Sequence, residues 1–346
     1  MVSSPFDDLL VLECATVLAG PAVGAFFAEL GATVLKLEPP TGDVTRSWKL
    51  PSEHPAETVS AYFACVNWGK HSLALDLRQP AGRQIAQALA AKADILIANY
   101  KPGAAERLGM DYATLSALNP GLIYAHLTGY GDADPRTGYD AIIQAESGFL
   151  ALNAHPGQLP VKMPVALIDL LAAHQLKQAV LVALLQRQHS GHGDYLQVSL
   201  IQSALASLAN QASNWLVAGH EPQPLGLEHP NIAPYGGLYP CADGEQIMLA
   251  IGSDSQFATL CQLLSAPALA TEFPSNAERV SRRVALNTAL RPLIQAQAAQ
   301  PLLAQLWQAG IPAGRMLTVS QALAQPAAHE MMLHSQELRG LRTSVF

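Results

Sequence analysis

The stretch LLVLECATVLAGPAVGAFFAELGATVLKLE (9–38) decides the fold. Its opening, LLVLECA, is short and almost wholly apolar, as a strand covered on both faces requires. PAVGAFFAELG (21–31) has helical apolar spacing and stops at a glycine, and TVLKLE (33–38) is a second strand. The rhythm returns in HSLALDL (71–77), AGRQIAQALAAKA (81–93), DILIAN (94–99) and GLIYAHLTGYG (121–131). Strands alternating with helices predict an α/β fold built on a mostly parallel sheet. Gly20, Gly24 and the strand-ending Glu38 invite a dinucleotide reading. However, LAGPAVG is not GxGxxG, and Pro21 occupies the turn, so the glycines equally suit a helix starting tightly against the sheet.

Helices are expected to dominate 139–218. GHEPQPLGLEHPNIAPYGG (219–237) is dense in Gly and Pro and reads as a linker. GGLYPCADGEQIMLAIG (236–252) reads as two strands turning at Asp243-Gly244, with short helices following over 254–264, 279–291 and 301–309. The expected organisation is a large domain over 1–220, a smaller α+β domain over 221–327, and a C-terminal segment over 328–346.

A chain of 346 residues exceeds one ordinary core, at about 100–200 residues per domain. Half the residues are apolar and 14% are charged, so large cores are available. The net charge of −7 argues against a nucleic-acid partner, although a few local cations suffice for one phosphate group. Cys14, Cys65, Cys241 and Cys261 form no CxxC pair and read as reduced residues of a cytoplasmic protein. MVSSPFDDLL (1–10) lacks the basic, apolar character of a leader. The apolar run 163–185 is broken by Asp169, His174, Gln175, Lys177 and Gln178, which suits a buried helix better than a membrane span. No histidine pair has metal-ligand spacing, so no metal is expected, and neither GxSxG nor a P-loop occurs; no prosthetic group is expected either.

VKMPVALIDLLAAHQLKQAVLVALL (161–185) carries the most informative side chain. Asp169 stands near a helix start in apolar surroundings, and a buried carboxylate is costly unless its charge is stabilised. It reads either as an N-cap or as a nucleophile or base in a dry pocket. NYKPGAAERLGMDY (99–112) follows a strand, where ligands gather in such sheets. Pro102-Gly103 turns the chain into a short helix, Arg107 offers a guanidinium to a pyrophosphate, and Lys101 and the Tyr100 ring suit the border of an adenine; a plain surface turn explains the same residues. Lys70, just before a strand, is a second phosphate contact or a solvated lysine. Tyr139 and Asp140 open another helix. Gly252 and Ser253 follow a strand, so their N–H groups either face an oxyanion or begin a helix that Ser253 or Asp254 caps.

Together these stretches resemble the family III CoA-transferases, the CaiB/BaiF family. The resemblance rests on VLAGPAVGAFFAELGATVLKLEPPTGDVTR (17–46), NWGKHSLALDL (67–77), NYKPGAAERLGMDYATLSALNPGLIYAHLTGYG (99–131), GYDAIIQAESG (138–148) and GHGDYLQVSLIQSAL (191–205). It implies an interlocked homodimer whose subunits pair a Rossmann-like large domain with a small domain, and a C-terminal segment that returns to the large domain. It implies that coenzyme A enters as a substrate thioester and that Asp169 is the catalytic carboxylate. Asn99, Tyr100 and Arg107 then fall on the CoA-binding segment, and Tyr139 and Trp48 on the acyl pocket. Gly252 and Ser253 fall on a loop over the active site, although the glycine-rich run of some relatives is absent. The expected reaction passes CoA between carboxylic acids through an aspartyl anhydride or thioester.

TGDVTRSW (41–48), VNWGK (66–70) and HPNIAPYGGLYPCADG (229–244) look most like members that use succinyl-CoA and dicarboxylic acids. A second substrate carboxylate needs a cation, for which Arg46 and Lys162 are candidates. Racemases of the same family are the nearest alternative, with a histidine in the segment written here as GYDAIIQ (138–144). Tyr139 stands where that histidine would be, and His126 on the preceding strand does not match it. A non-catalytic CoA-binding protein is the remaining alternative.

Overall fold

The computed structural model describes residues 4–334 and 339–346. Strands Leu10–Glu13 (β1), Thr33–Glu38 (β2), His71–Ala74 (β3), Ile95–Ala98 (β4), Ile123–Thr128 (β5) and Tyr195–Ser199 (β6) form one sheet in the order β3-β2-β1-β4-β5-β6. Every neighbouring pair is parallel. This is the doubly wound order of Rossmann folds. Successive strand residues face opposite sides, so the uninterrupted apolar runs supply two cores at once. Val11, Ile95, Ile97, Ile123 and Ala125 pack on one face beneath helices Ala19–Glu29 and Leu167–Ser190. Leu12, Leu96, Ala98 and Tyr124 pack on the other, against Ala86, Ala90 and Leu115.

One expectation is refined and another holds. The helical region 139–218 contains β6, because GDYLQVS gains a backbone partner in β5, with Tyr124 opposite Tyr195. The long helix Leu167–Ser190 meets the length and apolarity of a membrane span, yet Ile168, Ala172, Ala173, Leu176, Val180 and Ala183 are buried in the protein core.

The chain divides into two compact units. The first comprises 1–150, 162–221 and 330–346; the second comprises 151–161 and 222–329, so 151–161 leave the large domain where the sequence reading put them. Within the second, strands Tyr235–Pro240 (β7), Gln246–Ala250 (β8) and Ala313–Arg315 (β9) form an antiparallel sheet over a core that includes Ile247, Leu249, Phe257, Leu286 and Leu290. Within the first, Met332–His334 (β10) pairs with Arg339–Leu341 (β11), and the Thr343 backbone N–H donates to Glu29 Oε1 at 2.9 Å.

Candidate active site

The strand order reverses between β1 and β4, and in such sheets ligands bind beyond the carboxyl ends at that point. A cleft of about 200 Å³ opens there. Thr16–Ala19 line it after β1, and Asn99–Pro102 after β4; Tyr139 and Asp169 complete the inner wall. Asn99 joins the two loops, since its amide donates to Thr16 O at 3.0 Å and accepts from Thr16 N at 3.1 Å.

Asp169 lies in the first turn of the Leu167–Ser190 helix and is 8% exposed. Its carboxylate has no hydrogen-bond or ionic partner among the described residues, though it borders the cleft. Burial, followed by the charge of Asp140, pushes its pKa from 3.8 up to about 7. The N-cap reading fails: Ala166 occupies that position and no side chain of its own caps the helix. The helix start does not hold the acid at an ordinary carboxylate value, because desolvation outweighs whatever the helix end contributes.

The capping is done from elsewhere. Asp140 Oδ1 accepts from Ile168 N at 2.8 Å, across 28 residues, and Oδ2 accepts from Gln144 Nε2 at 2.7 Å. Gln144 Oε1 in turn accepts from Met163 N at 3.0 Å, fixing the approach to the long helix. The spacing of Asp140 and Gln144 is a helical i,i+4 pair, a signal present in GYDAIIQ but without a visible target. This coupling has a measurable consequence. A nucleophilic role for Asp169 would need the ionised carboxylate, so on that reading kcat/KM rises with pH through a limb near 7. In Asp140→Asn the neighbouring anion is lost, so the limb should move to lower pH while staying above 3.8, because burial persists. A pH–rate profile of both proteins checks this; an unmoved or raised limb would contradict it.

Other expected site residues are distributed differently. Tyr139 does line the cleft, half-exposed, at the start of the Asp140–Glu146 helix. Tyr100 lines it too, but its ring packs on the core beside Cys14, and burial raises its hydroxyl pKa well above the ordinary value. Arg107 is exposed on the short helix Ala104–Leu108, folded back over Gly103, and has no acidic partner among the described residues. Trp48 does not line the cleft; it meets Tyr62 edge-on at 5.1 Å, and Tyr62 is raised to about 12 by burial and then by the charge of Asp169.

Lys70, read as a phosphate contact or a solvated lysine, is a buried and engaged cation. Its ammonium bonds Glu13 at 2.7 Å, Pro21 O at 2.8 Å and Asn67 at 3.0 Å, and burial lowers its pKa to about 8 against the pull of Glu13. Gly24 is required here, since a Cβ would fall on the Glu13 carboxylate. Arg46 is likewise engaged: Glu38 takes it in a fork at 2.7 and 2.6 Å, and its guanidinium lies 3.7 Å from the Phe63 ring centre. Lys162 donates to the neighbouring Met163 carbonyl. The cations on the cleft wall are Lys101, with no acidic partner among the described residues, and Arg136, paired with Asp134 and Glu146. Gly252 and Ser253 belong to the second unit, where the Gly252 N–H is engaged and Ser253 takes the capping role. Gly252 N donates to Gln256 Oε1 at 2.9 Å, and Ser253 caps the Asp254–Leu263 helix by accepting from Gln256 N.

Comparison with known proteins agrees with this geometry. The family model described as CoA-transferase family III matches residues 6–339. The succinate–glutarate CoA-transferase of Agrobacterium fabrum is 35% identical, over 99% of this chain and 85% of that protein. The acetyl-CoA:oxalate CoA-transferase of Acetobacter aceti is also 35% identical, over 96% of this chain and 86% of its own length. A CaiB/BaiF family protein from Brucella suis, of known crystal structure, superposes with a TM-score of 0.87 at 39% identity, covering 99% of this chain and 92% of that one. A parallel sheet in Rossmann order, an acid at its switch point without a partner among the described residues, and a match along nearly the whole chain lead to one assignment: the protein is a CoA-transferase of family III.

Proposed function

We propose that this enzyme moves CoA from a succinyl-type thioester to a dicarboxylic acid, with Asp169 as the nucleophile. The observation that carries the reading is the buried carboxylate of Asp169, facing the cleft with no partner among the described residues. A carboxylate held this way is poorly solvated and reactive once ionised. Its oxygen attacks the thioester carbonyl, the C–S bond breaks, and CoA leaves as thiolate with an acyl-aspartyl anhydride behind it. The thiolate attacks the aspartyl carbonyl, releasing the donor acid and forming an aspartyl-CoA thioester. The acceptor carboxylate then displaces CoA to give a second anhydride, and CoA attacks its acyl carbon, regenerating Asp169. Both anhydrides are lost to hydrolysis if water enters, and the apolar neighbours Ile168, Leu170 and Leu171 suit its exclusion.

The names of the relatives support a dicarboxylic substrate, and Lys101, without an acidic partner among the described residues, puts positive charge on the cleft wall, which suits a second carboxylate. Asn99, Tyr100 and Arg107 sit on or beside that wall and are assigned to CoA. The four free cysteines accord with a cytoplasmic setting. Trp215, Leu216 and Val217, each more than half exposed, offer an apolar surface for a second copy in a homodimer. The test is incubation with succinyl-CoA and a panel of mono- and dicarboxylic acids, with light scattering for the dimer. New acyl-CoA should form with an equal amount of succinate, most readily from dicarboxylates. Hydrolysis alone, or no exchange with any acid, would sink the proposal.

A further inference from the structure

His126 takes no part in the transfer chemistry, yet it is 8% exposed and fully engaged. It lies on β5, opposite Ala98 at the end of β4. Its Nε2 is 2.9 Å from the Tyr100 carbonyl oxygen. A carbonyl only accepts, so this nitrogen carries the hydrogen and donates it. The other nitrogen, Nδ1, stands 2.8 Å from Tyr195 Oη and 3.1 Å from Asp132 Oδ1, and Tyr195 Oη lies 2.6 Å from Asp132 Oδ2. A residue of β6 and a residue of the loop after β5 therefore brace the ring, and the ring holds the chain beyond β4.

That chain segment is Tyr100–Pro102, the partition between the Asp169 cleft and a neighbouring hollow of about 410 Å³ that His126, Asp132 and Tyr195 line. Past Ala98 it has no strand partner among the described residues. It is pinned on one side by the Asn99 amide, bonded to the loop after β1, and on the other by His126. We infer that His126 is a positioning residue for CoA binding, acting through the Tyr100 carbonyl, with Tyr195 and Asp132 fixing its ring. The inference rests on the reading that Asn99, Tyr100 and Arg107 hold CoA. Such a residue controls how well the thioester is bound and leaves the acceptor and the chemical step alone.

The experiment is calorimetric titration with free CoA, together with steady-state kinetics in succinyl-CoA and glutarate, on wild type, His126→Leu, His126→Gln and Tyr195→Phe. In His126→Leu the CoA Kd and the succinyl-CoA KM should rise about tenfold, the worth of one good hydrogen bond. The glutarate KM and kcat should stay within about twofold. His126→Gln, which keeps an amide donor near the carbonyl, should recover most of the affinity. Unchanged CoA affinity in His126→Leu, or equal damage to both substrates and kcat, would overturn the inference alone. Should His126→Leu not fold, Tyr195→Phe carries the test: a selective loss of CoA affinity supports the inference, and none overturns it. An Arg107→Ala variant, measured alongside, that exchanges acyl groups and binds CoA as tightly as wild type would overturn the CoA-site reading, and the inference with it.

Discussion

Asp169→Asn is expected to lower CoA transfer by at least about a thousandfold while making the protein more stable above pH 7. The first effect follows from chemistry, because an amide cannot form the anhydride. The second follows from burial. The folded state holds a proton on Asp169 up to about pH 7, whereas the unfolded chain releases it near 3.8. Between those values the native state binds more protons, so wild-type stability falls as pH rises through the window and stays low above it. At about 1.4 kcal/mol per tenfold in proton affinity, the ionised form costs at most about 4 kcal/mol. Asparagine carries no charge, so its gain should be present at pH 8 and absent near pH 3. Urea unfolding at the two pH values measures it, and hydroxylamine trapping after succinyl-CoA addition should label wild type at Asp169 and leave the variant unlabelled. A fully active asparagine variant would remove the nucleophile; one less stable than wild type at pH 8 would remove the account of its burial.

The second large effect is structural. Lys36, 1% exposed, bonds Glu13 at 2.9 Å, Asp43 at 3.0 Å and the Ala15 carbonyl at 2.9 Å. Asp43 Oδ2 has no other partner among the described residues, while Oδ1 caps the Val44–Ser47 turn that carries Arg46 and leads to Trp48. Lys36→Met should cost about 3–5 kcal/mol, the usual penalty for leaving a buried charge alone. Lys36→Met/Asp43→Asn should recover part of that, since asparagine keeps the bond to Thr45 and carries no charge. Denaturant melts of the three proteins check the sign and the recovery. A loss below about 1 kcal/mol, the range of exposed pairs, would mean that the cluster is solvated.

Much of the architecture is legible in short segments. The strand–helix rhythm of 9–38 and its repeats depends on neighbours within a few residues, and the sheet follows it. The weak point was β6, whose polar, mixed sequence becomes a strand only by pairing with β5. Among the site residues, Asp169 stood out because an acid in an apolar run is anomalous wherever the chain goes. The charged candidates did not sort themselves, because a lysine awaiting phosphate and a lysine buried against glutamate look alike in sequence.

The sequence by itself determined the α/β fold, the place of the cleft beyond the strands and the acid that borders it. Only the tertiary structure decided which charges are available. Lys70 meets Glu13 across 57 residues, Arg46 is held by Glu38, and Asp140 caps the helix of Asp169 across 28. The physical reason is range. Hydrophobic periodicity is written locally and read locally, whereas the proton affinity of a carboxylate and the freedom of an ammonium depend on burial and on partners that the chain brings together only when folded.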